Sequence, residues 1–459
     1  MTRDQRLVLT IAVLASFVTF LDGSVINVAL PAISAELGGG LTVQQWVVDA
    51  YLITLGTLIL LAGSLSDAFG RMLVLRVGLY GFAVTSVLIA IAPSAELLVV
   101  MRGAQGIAGA LLVPSSLALI ISTFSGAAQS KAVGSWTGWT SAAFLIGPLL
   151  GGLFVDFLSW RLVFAINIVP IAVTLVLVAR LGRSNERPHG GGIDWAGAVL
   201  GIVGLGGPVF ALIEQANLGW DHPGIFLPFL VGVASFVAFL LRQRTVRNPM
   251  LPLELFAVRN FSVGNVATTL VYAALSLGGF LVAVFLQQVA GYSATAAGLA
   301  MLPVTVVSIM LSSYFGALAG RFGPRAFMGL GPIIGGAGYL LMLGIGADAD
   351  YVTEVLPGVL LFAIGLTATV APLTSAILGA IPAARSGIGS AINNAVSRIA
   401  GLVAIALLGV ILGGDLTVDS FHRGLVVTGV LLIAGGVVSI IGIKNPVRER
   451  RAAPAREVG

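Results

Sequence analysis

Apolar runs of about 20 residues or more recur along the whole of this chain, each long enough to cross a hydrocarbon core. Inside a bilayer every backbone N–H and C=O must be paired within the protein, which leaves only helices and closed barrels. Alternating apolar–polar segments of about ten residues are absent, so a transmembrane barrel is excluded. Composition points the same way: 58% of the 459 residues are hydrophobic and 9% are charged, against roughly 25% charged in a soluble domain. Too few polar side chains remain to cover a water-facing surface. The expected class is an all-α polytopic membrane protein with about fourteen spans. They fall at roughly 7–33, 43–65, 72–93, 97–123, 131–157, 161–181, 193–214, 223–241, 261–287, 293–320, 326–347, 352–378, 386–412 and 422–443.

Charge then orients the bundle. With the amino terminus inside, Arg3, Arg6, Arg71, Arg76, Lys131, Arg180, Arg242, Arg259, Arg321, Arg325, Arg385 and the tail from Lys444 to Arg456 all fall on the cytoplasmic side. The opposite side holds Glu36, Glu96, Asp221, Asp348, Asp350, Glu354, Asp415 and Asp419, with Arg161 and Arg423 as basic exceptions. This is the positive-inside asymmetry, and it puts both termini in the cytoplasm. The net charge of +5 is therefore topological, and no nucleic-acid partner is expected. With no cysteine and three scattered histidines, His189, His222 and His422, no metal site is expected. Neither Lys131 nor Lys444 follows a glycine, which rules out a phosphate-cradling loop and an ATPase engine. No cofactor is expected, and no convergent nucleophile, metal set or carboxylate pair suggests an enzyme.

Against this apolar background the charges inside spans stand out. Asp22 lies near the middle of span 1, where an ionised carboxylate is costly and usually functional. Asp49 and Arg102 enter the membrane from the outer side by about 9 Å and 8 Å at the helical rise; Asp49 is shallow enough to snorkel to water. Asp22 and Asp49 are the two candidate partners for Arg102, as a structural clamp or as a coupling pair. Arg102 also heads a stripe with Gly106 and Gly109 on one face of span 4. Span 5 carries a small-residue stripe, Ala143, Gly147 and Gly151, suited to close helix packing, and Pro148, which favours a kink. Asp156 and Ser159-Trp160-Arg161 read as a local turn and interfacial anchor, and Glu214 as a solvated residue. In the second half Arg398 is the one deep charge, open to satisfaction by backbone carbonyls, Asn393, Asn394 or water. Trp136, Trp139, Tyr272 and Phe280 are read as packing residues.

The polar break from Gly63 to Arg71, with Asp67 and Arg71 four residues apart, has a weaker copy from Gly316 to Arg325. Each reads as a tight loop joining two spans, with Gly63 and Gly70 permitting close helix approach and Asp67 facing a helix N-terminus of the other half. Duplicated halves of this kind are usual in secondary transporters.

Taken together, these motifs resemble the major facilitator superfamily. Residues 63–71 resemble its loop 2–3 signature and Arg102 to Ala110 its span 4 motif. Gly147-Pro148-Leu149-Leu150-Gly151-Gly152 resembles its antiporter motif, and Leu21 to Pro31 the span 1 motif of the fourteen-helix drug:proton antiporters (EmrB/QacA type). Asp194 to Gly197, Pro249 to Phe256, Gly291 to Pro303 and Ser390 to Arg398 extend the likeness along the chain. Ala68, Met72, Ala143 and Ser24 depart from the usual pattern. The resemblance implies two six-helix bundles, 1–181 and 261–443, around inserted linkers and two helices at 182–260, with a basic tail at 444–459. It implies a proton-coupled multidrug antiporter of the bacterial plasma membrane, monomeric, exporting lipophilic, often cationic compounds by alternating access. Asp22, Asp49 and Arg102 would couple protons; Gly63, Asp67, Gly70 and Arg71 would form the conformational loop; Gly147, Pro148, Gly151 and Gly152 the antiporter motif. Asn394 and Arg398 are the second-half candidates. An exporter dedicated to one endogenous metabolite or antibiotic is the alternative, ahead of a channel or a membrane enzyme.

Overall fold

The computed structural model describes residues 1–181, 193–247, 249–382 and 385–445, without the side chains at 67, 126, 127, 130, 137, 141, 144, 145, 386 and 387. The expected linker at 182–192 and most of the basic tail, 446–459, lie outside the described residues. Among those described there is no strand. Thirteen helices are long and apolar enough to cross a membrane, and the 32-residue helix Gly126–Phe157 completes the expected series of fourteen.

In order the first six are α1 (Arg3–Leu37), α2 (Gly40–Phe69), α3 (Arg71–Ala90), α4 (Ala95–Thr123), α5 (Gly126–Phe157) and α6 (Leu162–Leu181). Two further helices follow, α7 (Trp195–Leu218) and α8 (Pro223–Thr245). The last six are α9 (Arg259–Gln288), α10 (Ala294–Phe322), α11 (Pro324–Gly344), α12 (Tyr351–Leu378), α13 (Ser386–Ala406) and α14 (Val418–Gly442). Polar caps set many of the starts. Ser94 accepts from the Leu97 N–H, Ser293 from Ala296 and Asp194 from Gly197, while Thr2 and Thr417 head capping boxes. Helix α6 breaks at Ile166–Asn167, where Pro170 has no N–H to offer the carbonyl four residues back. Helix α5 runs unbroken through Pro148.

The 63–71 stretch differs from its reading as a loop. Helix α2 continues to Phe69, and a single residue, Gly70, separates it from α3. Ser64, Ser66 and the other polar residues there do not end a helix once its end reaches polar surroundings; a backbone at φ 94° does. The second copy repeats the device, with Gly323 at φ 89° between α10 and α11. Gly63 meets nothing within 4 Å where a β-carbon would stand, so it marks no close approach in this conformation.

Within the first half α2 and α3 pack on α4, and α1 packs on α4, α5 and α6; in the second, α11 packs on α12 and α14, and α9 on α13 and α14. Helices α7 and α8 pair with each other and reach the first half through α2. Asp194 ties that pair together by accepting from Arg242 Nε at 2.6 Å and Gln243 Nε2 at 3.1 Å. Burial pushes its carboxyl up, but these donors and the Gly197 N–H hold it below the usual range.

Gly70→Ala and Gly323→Ala force a β-carbon into a conformation that only glycine adopts easily, and each is expected to cost about 1–3 kcal/mol. Gly63→Ala, inside a helix and in open space, is expected to stabilise by up to about 1 kcal/mol. Melting temperatures of the purified protein in detergent check the opposite signs.

Candidate functional site

Asp22 sits in the middle of α1 with no exposed surface, and Arg102 of α4 is 1% exposed. They form an ion pair, Nη1 to Oδ2 at 2.6 Å. The other carboxylate oxygen accepts from Asn167 Nδ2 at 3.0 Å and Gln105 Nε2 at 3.3 Å. Gln105 is itself held, accepting from Arg102 and donating to Ser86 of α3. The guanidinium spends its Nε–H on the Val47 carbonyl of α2 at 2.9 Å, and its central carbon lies 4.3 Å from the Tyr51 ring centroid. One charge pair thus links α1, α2, α3, α4 and α6. Asn167 lies at the break in α6.

The close approach rests on glycines. Gly106 of α4 has no room for a β-carbon, because the Tyr51 carbonyl and Thr54 hydroxyl of α2 occupy that space, and Gly109 lies against the Tyr51 hydroxyl. A carboxylate and a guanidinium without exposed surface cost several kcal/mol each to desolvate, which only a well-made, fully hydrogen-bonded pair offsets. Asp22 therefore takes Arg102 from the two candidates, and Asp49 does not.

Asp49 differs from its sequence reading. It does not snorkel: its side chain is fully buried, and neither carboxylate oxygen has a hydrogen-bond partner. It lies one turn after Gln45, whose Nε2 donates to the Ile405 carbonyl of α13 at 2.7 Å. Further along the same face, Gly56 stands against the Arg398 and Ile399 side chains of α13. Asp49 thus lies on the α2 stripe that faces the second half. On α13, Asn393 turns away to α9, donating to Thr268 at 2.8 Å and Asn265 at 3.3 Å. Asn394 accepts through its main-chain carbonyl from Ser397.

The α5 stripe serves two neighbours at once. Gly147 and Gly151 receive Ser24 and Val25 of α1. On the next face, a β-carbon at Gly152 would stand 2.5 Å from the Thr295 Cα of α10, and one at Gly298 would stand 2.6 Å from the Pro148 carbonyl. One turn on from Gly152, Asp156 accepts from the main-chain N–H groups of Ala294 and Thr295 at 2.9 and 2.8 Å. Far from a local turn, Asp156 caps the first turn of α10 and fastens the two halves at one end of the bundle. Nearby, Trp160 and Arg161 both donate to Glu36 at the end of α1. At the end carrying the termini, a β-carbon at Gly63, Gly134, Gly138 or Gly320 would meet nothing within 4 Å. Where α5 meets α10 the halves are fastened.

Two sequence readings change further. Glu214 is not simply solvated, since it accepts from the Trp46 indole of α2 at 2.6 Å. Trp136 packs but also donates to Ser16 of α1, while Trp139 is exposed. The Asp67 side chain lies outside the described residues. Among the described residues no group of three or more His, Asp or Glu forms a metal site.

Comparison with known proteins covers nearly the whole chain. The family model of the Major Facilitator Superfamily matches residues 12–405. Multidrug resistance protein Stp of Mycobacterium tuberculosis (strain CDC 1551 / Oshkosh) is 32% identical over 91% of this chain and 78% of its own. Methylenomycin A resistance protein of Bacillus subtilis (strain 168) is 34% identical over 88% and 87%. Among solved structures, a POT family transporter bound to a thioalcohol-conjugated peptide matches with TM-score 0.71 at 14% identity, over 96% of each chain.

Arg102→Gln leaves the Asp22 carboxylate in an apolar interior and is expected to destabilise by about 3–5 kcal/mol. Adding Asp22→Asn removes the stranded charge and is expected to restore at least half of that loss. Unfolding in mixed micelles reads both; a double variant as unstable as the sum of the singles would contradict the pairing.

Proposed function

The chain belongs to the Major Facilitator Superfamily, and we propose that it is a proton-coupled efflux antiporter for lipophilic, often cationic, drug-like compounds, working by alternating access in a bacterial plasma membrane with both termini cytoplasmic. The observation that carries this reading is the Asp22–Arg102 pair, a titratable group on which five helices converge. Its relatives' names, a multidrug resistance protein and an antibiotic resistance protein, supply the class of compound.

The chemistry follows from the contacts. A proton placed on Asp22 cancels the carboxylate charge and removes an acceptor from Arg102, Gln105 and Asn167 together. The guanidinium is then a buried charge without its counter-ion, so α4 and its neighbours must repack around it. A proton is in this way converted into helix movement. The Asp156 cap and the α5–α10 contact hold the outer end shut in the present conformation, and repacking of α1 against α5 acts on that contact through Gly147 and Gly151.

Asp49 is assigned as the second proton site. A buried carboxylate without donors is tolerable only as the neutral acid, and its place on the stripe facing α13 exposes it to water when the halves separate there. One charge crossing 100 mV carries about 2.3 kcal/mol, equivalent to roughly a 50-fold gradient. One proton against one monovalent cation uses only the pH difference; a second proton recruits the voltage.

In proteoliposomes with an imposed pH gradient, wild type is expected to accumulate ethidium uphill and Asp22→Asn to lose that accumulation. Full proton-driven accumulation in Asp22→Asn would end the assignment. Asp49→Asn is expected to keep uphill transport while its rate loses dependence on membrane potential; an unchanged dependence argues against the second site.

A further inference from the structure

Arg398 is the buried-region charge that the coupling network leaves unused. It leaves α13 at the seam between the halves, with Cβ 3.4 Å from the point where a β-carbon on Gly56 of α2 would stand. Nη1 is 4.0 Å from the corresponding point on Gly23 of α1, and the guanidinium carbon is 5.4 Å from the Phe20 ring centroid. Tyr272 of α9 lies one turn on from Thr268, to which Asn393 of α13 donates. The side chain is half-buried, and among the described residues its guanidinium has no ion pair or hydrogen bond. Asn393 is spent on α9. The two buried acids of α1 and α2 are closed to it: Asp22 is filled by three donors, and Asp49 has no exposed surface.

A guanidinium offers five N–H donors in a planar fork and stays charged at any physiological pH. Within a membrane such a group either pairs or faces a wet cavity, and it is functional by default. Here the half-buried guanidinium lies beside the Phe20 ring where α13 meets α1 and α2. What completes it is an anionic oxygen group, and what packs beside it is an apolar or aromatic body. We propose that Arg398 binds the acidic group of lipophilic acids, carboxylates, sulfonates or phenolates, with the ligand's apolar body against Phe20 and Tyr272. The proposal rests on the efflux reading and adds acids to its substrates. Cations gain nothing from this residue, so acids and cations must depend on Arg398 differently. Charge movement separates them too: at equal proton number, exporting a monoanion moves two more charges per cycle than exporting a monovalent cation.

The test uses full-length protein in proteoliposomes with two permanently charged fluorescent probes, pyrene-1-sulfonate and ethidium, whose charges a pH gradient cannot neutralise. Wild type is expected to move both uphill, the sulfonate with the steeper dependence on membrane potential. Arg398→Gln removes the charge-assisted bonds and is expected to raise the half-saturating sulfonate concentration about 10- to 100-fold while leaving ethidium transport near wild type. Arg398→Lys, which keeps the charge without the fork, is expected to fall between. Unchanged sulfonate transport in Arg398→Gln, or an equal loss of both probes in Arg398→Gln and Arg398→Lys, would overturn the proposal. So would a wild type that moves ethidium alone, which leaves the efflux reading standing. A wild type that moves neither probe would overturn the efflux reading itself.

Discussion

The Asp22–Arg102 pair fixes the first half of this protein. Two buried opposite charges are tolerable only while each is fully engaged, and the engagements come from several helices: Val47 and Tyr51 from α2, Gln105 from α4 with Ser86 of α3 behind it, and Asn167 from α6. Glycines 106 and 109 let α4 come near enough to α2 for the guanidinium to reach the Val47 carbonyl. Charge and backbone clearance thus act as one constraint. The cost of disturbing the pair is a few kcal/mol, comparable to what one proton gains in crossing a bacterial membrane potential. The proposed coupling role needs that match.

The two ends of the bundle show how such a disturbance is expressed. Where α5 meets α10, Gly152 and Gly298 bring backbones together and Asp156 caps the facing helix. The same α5 stripe carries Gly147 and Gly151 against α1, within one turn of Asp22. Movement of α1 after protonation therefore has a direct mechanical route to the fastened end. The halves also touch at the seam between α2 and α13, which contains the unpartnered Asp49 and, among the described residues, the unpaired Arg398.

Much of this was legible in the sequence, for identifiable reasons. Span positions follow from the length of apolar runs, and all fourteen expected segments overlap an observed helix. Asp22 and Arg102 were found because a charge in an apolar run is conspicuous, and opposite charges in one half have few alternatives. Gln105 and Asn167 were missed because a neutral amide inside a helix gives no signal until its neighbours are known. Asp156 was missed for the opposite reason: a carboxylate at a span end is unremarkable, although its place four residues after Gly152 puts it on the stripe that meets α10. The depth of Asp49 along its own helix carries no information on the neighbouring helices that bury it. The 63–71 segment reads as a loop because its residues are polar, yet polarity at a helix end does not interrupt hydrogen bonding, whereas the backbone of Gly70 does.

In the proposed mechanism, protonation of Asp22 changes the relation between the two halves. Spin labels at Leu158 and Gln288, both exposed at the fastened end, report the separation of α5 and α9 by pulsed dipolar spectroscopy as pH is varied. A pH-dependent exchange between a short and a long distance is predicted in the otherwise wild-type protein, with a pH-invariant distribution in Asp22→Asn. The same pH-dependent exchange in Asp22→Asn would contradict the account.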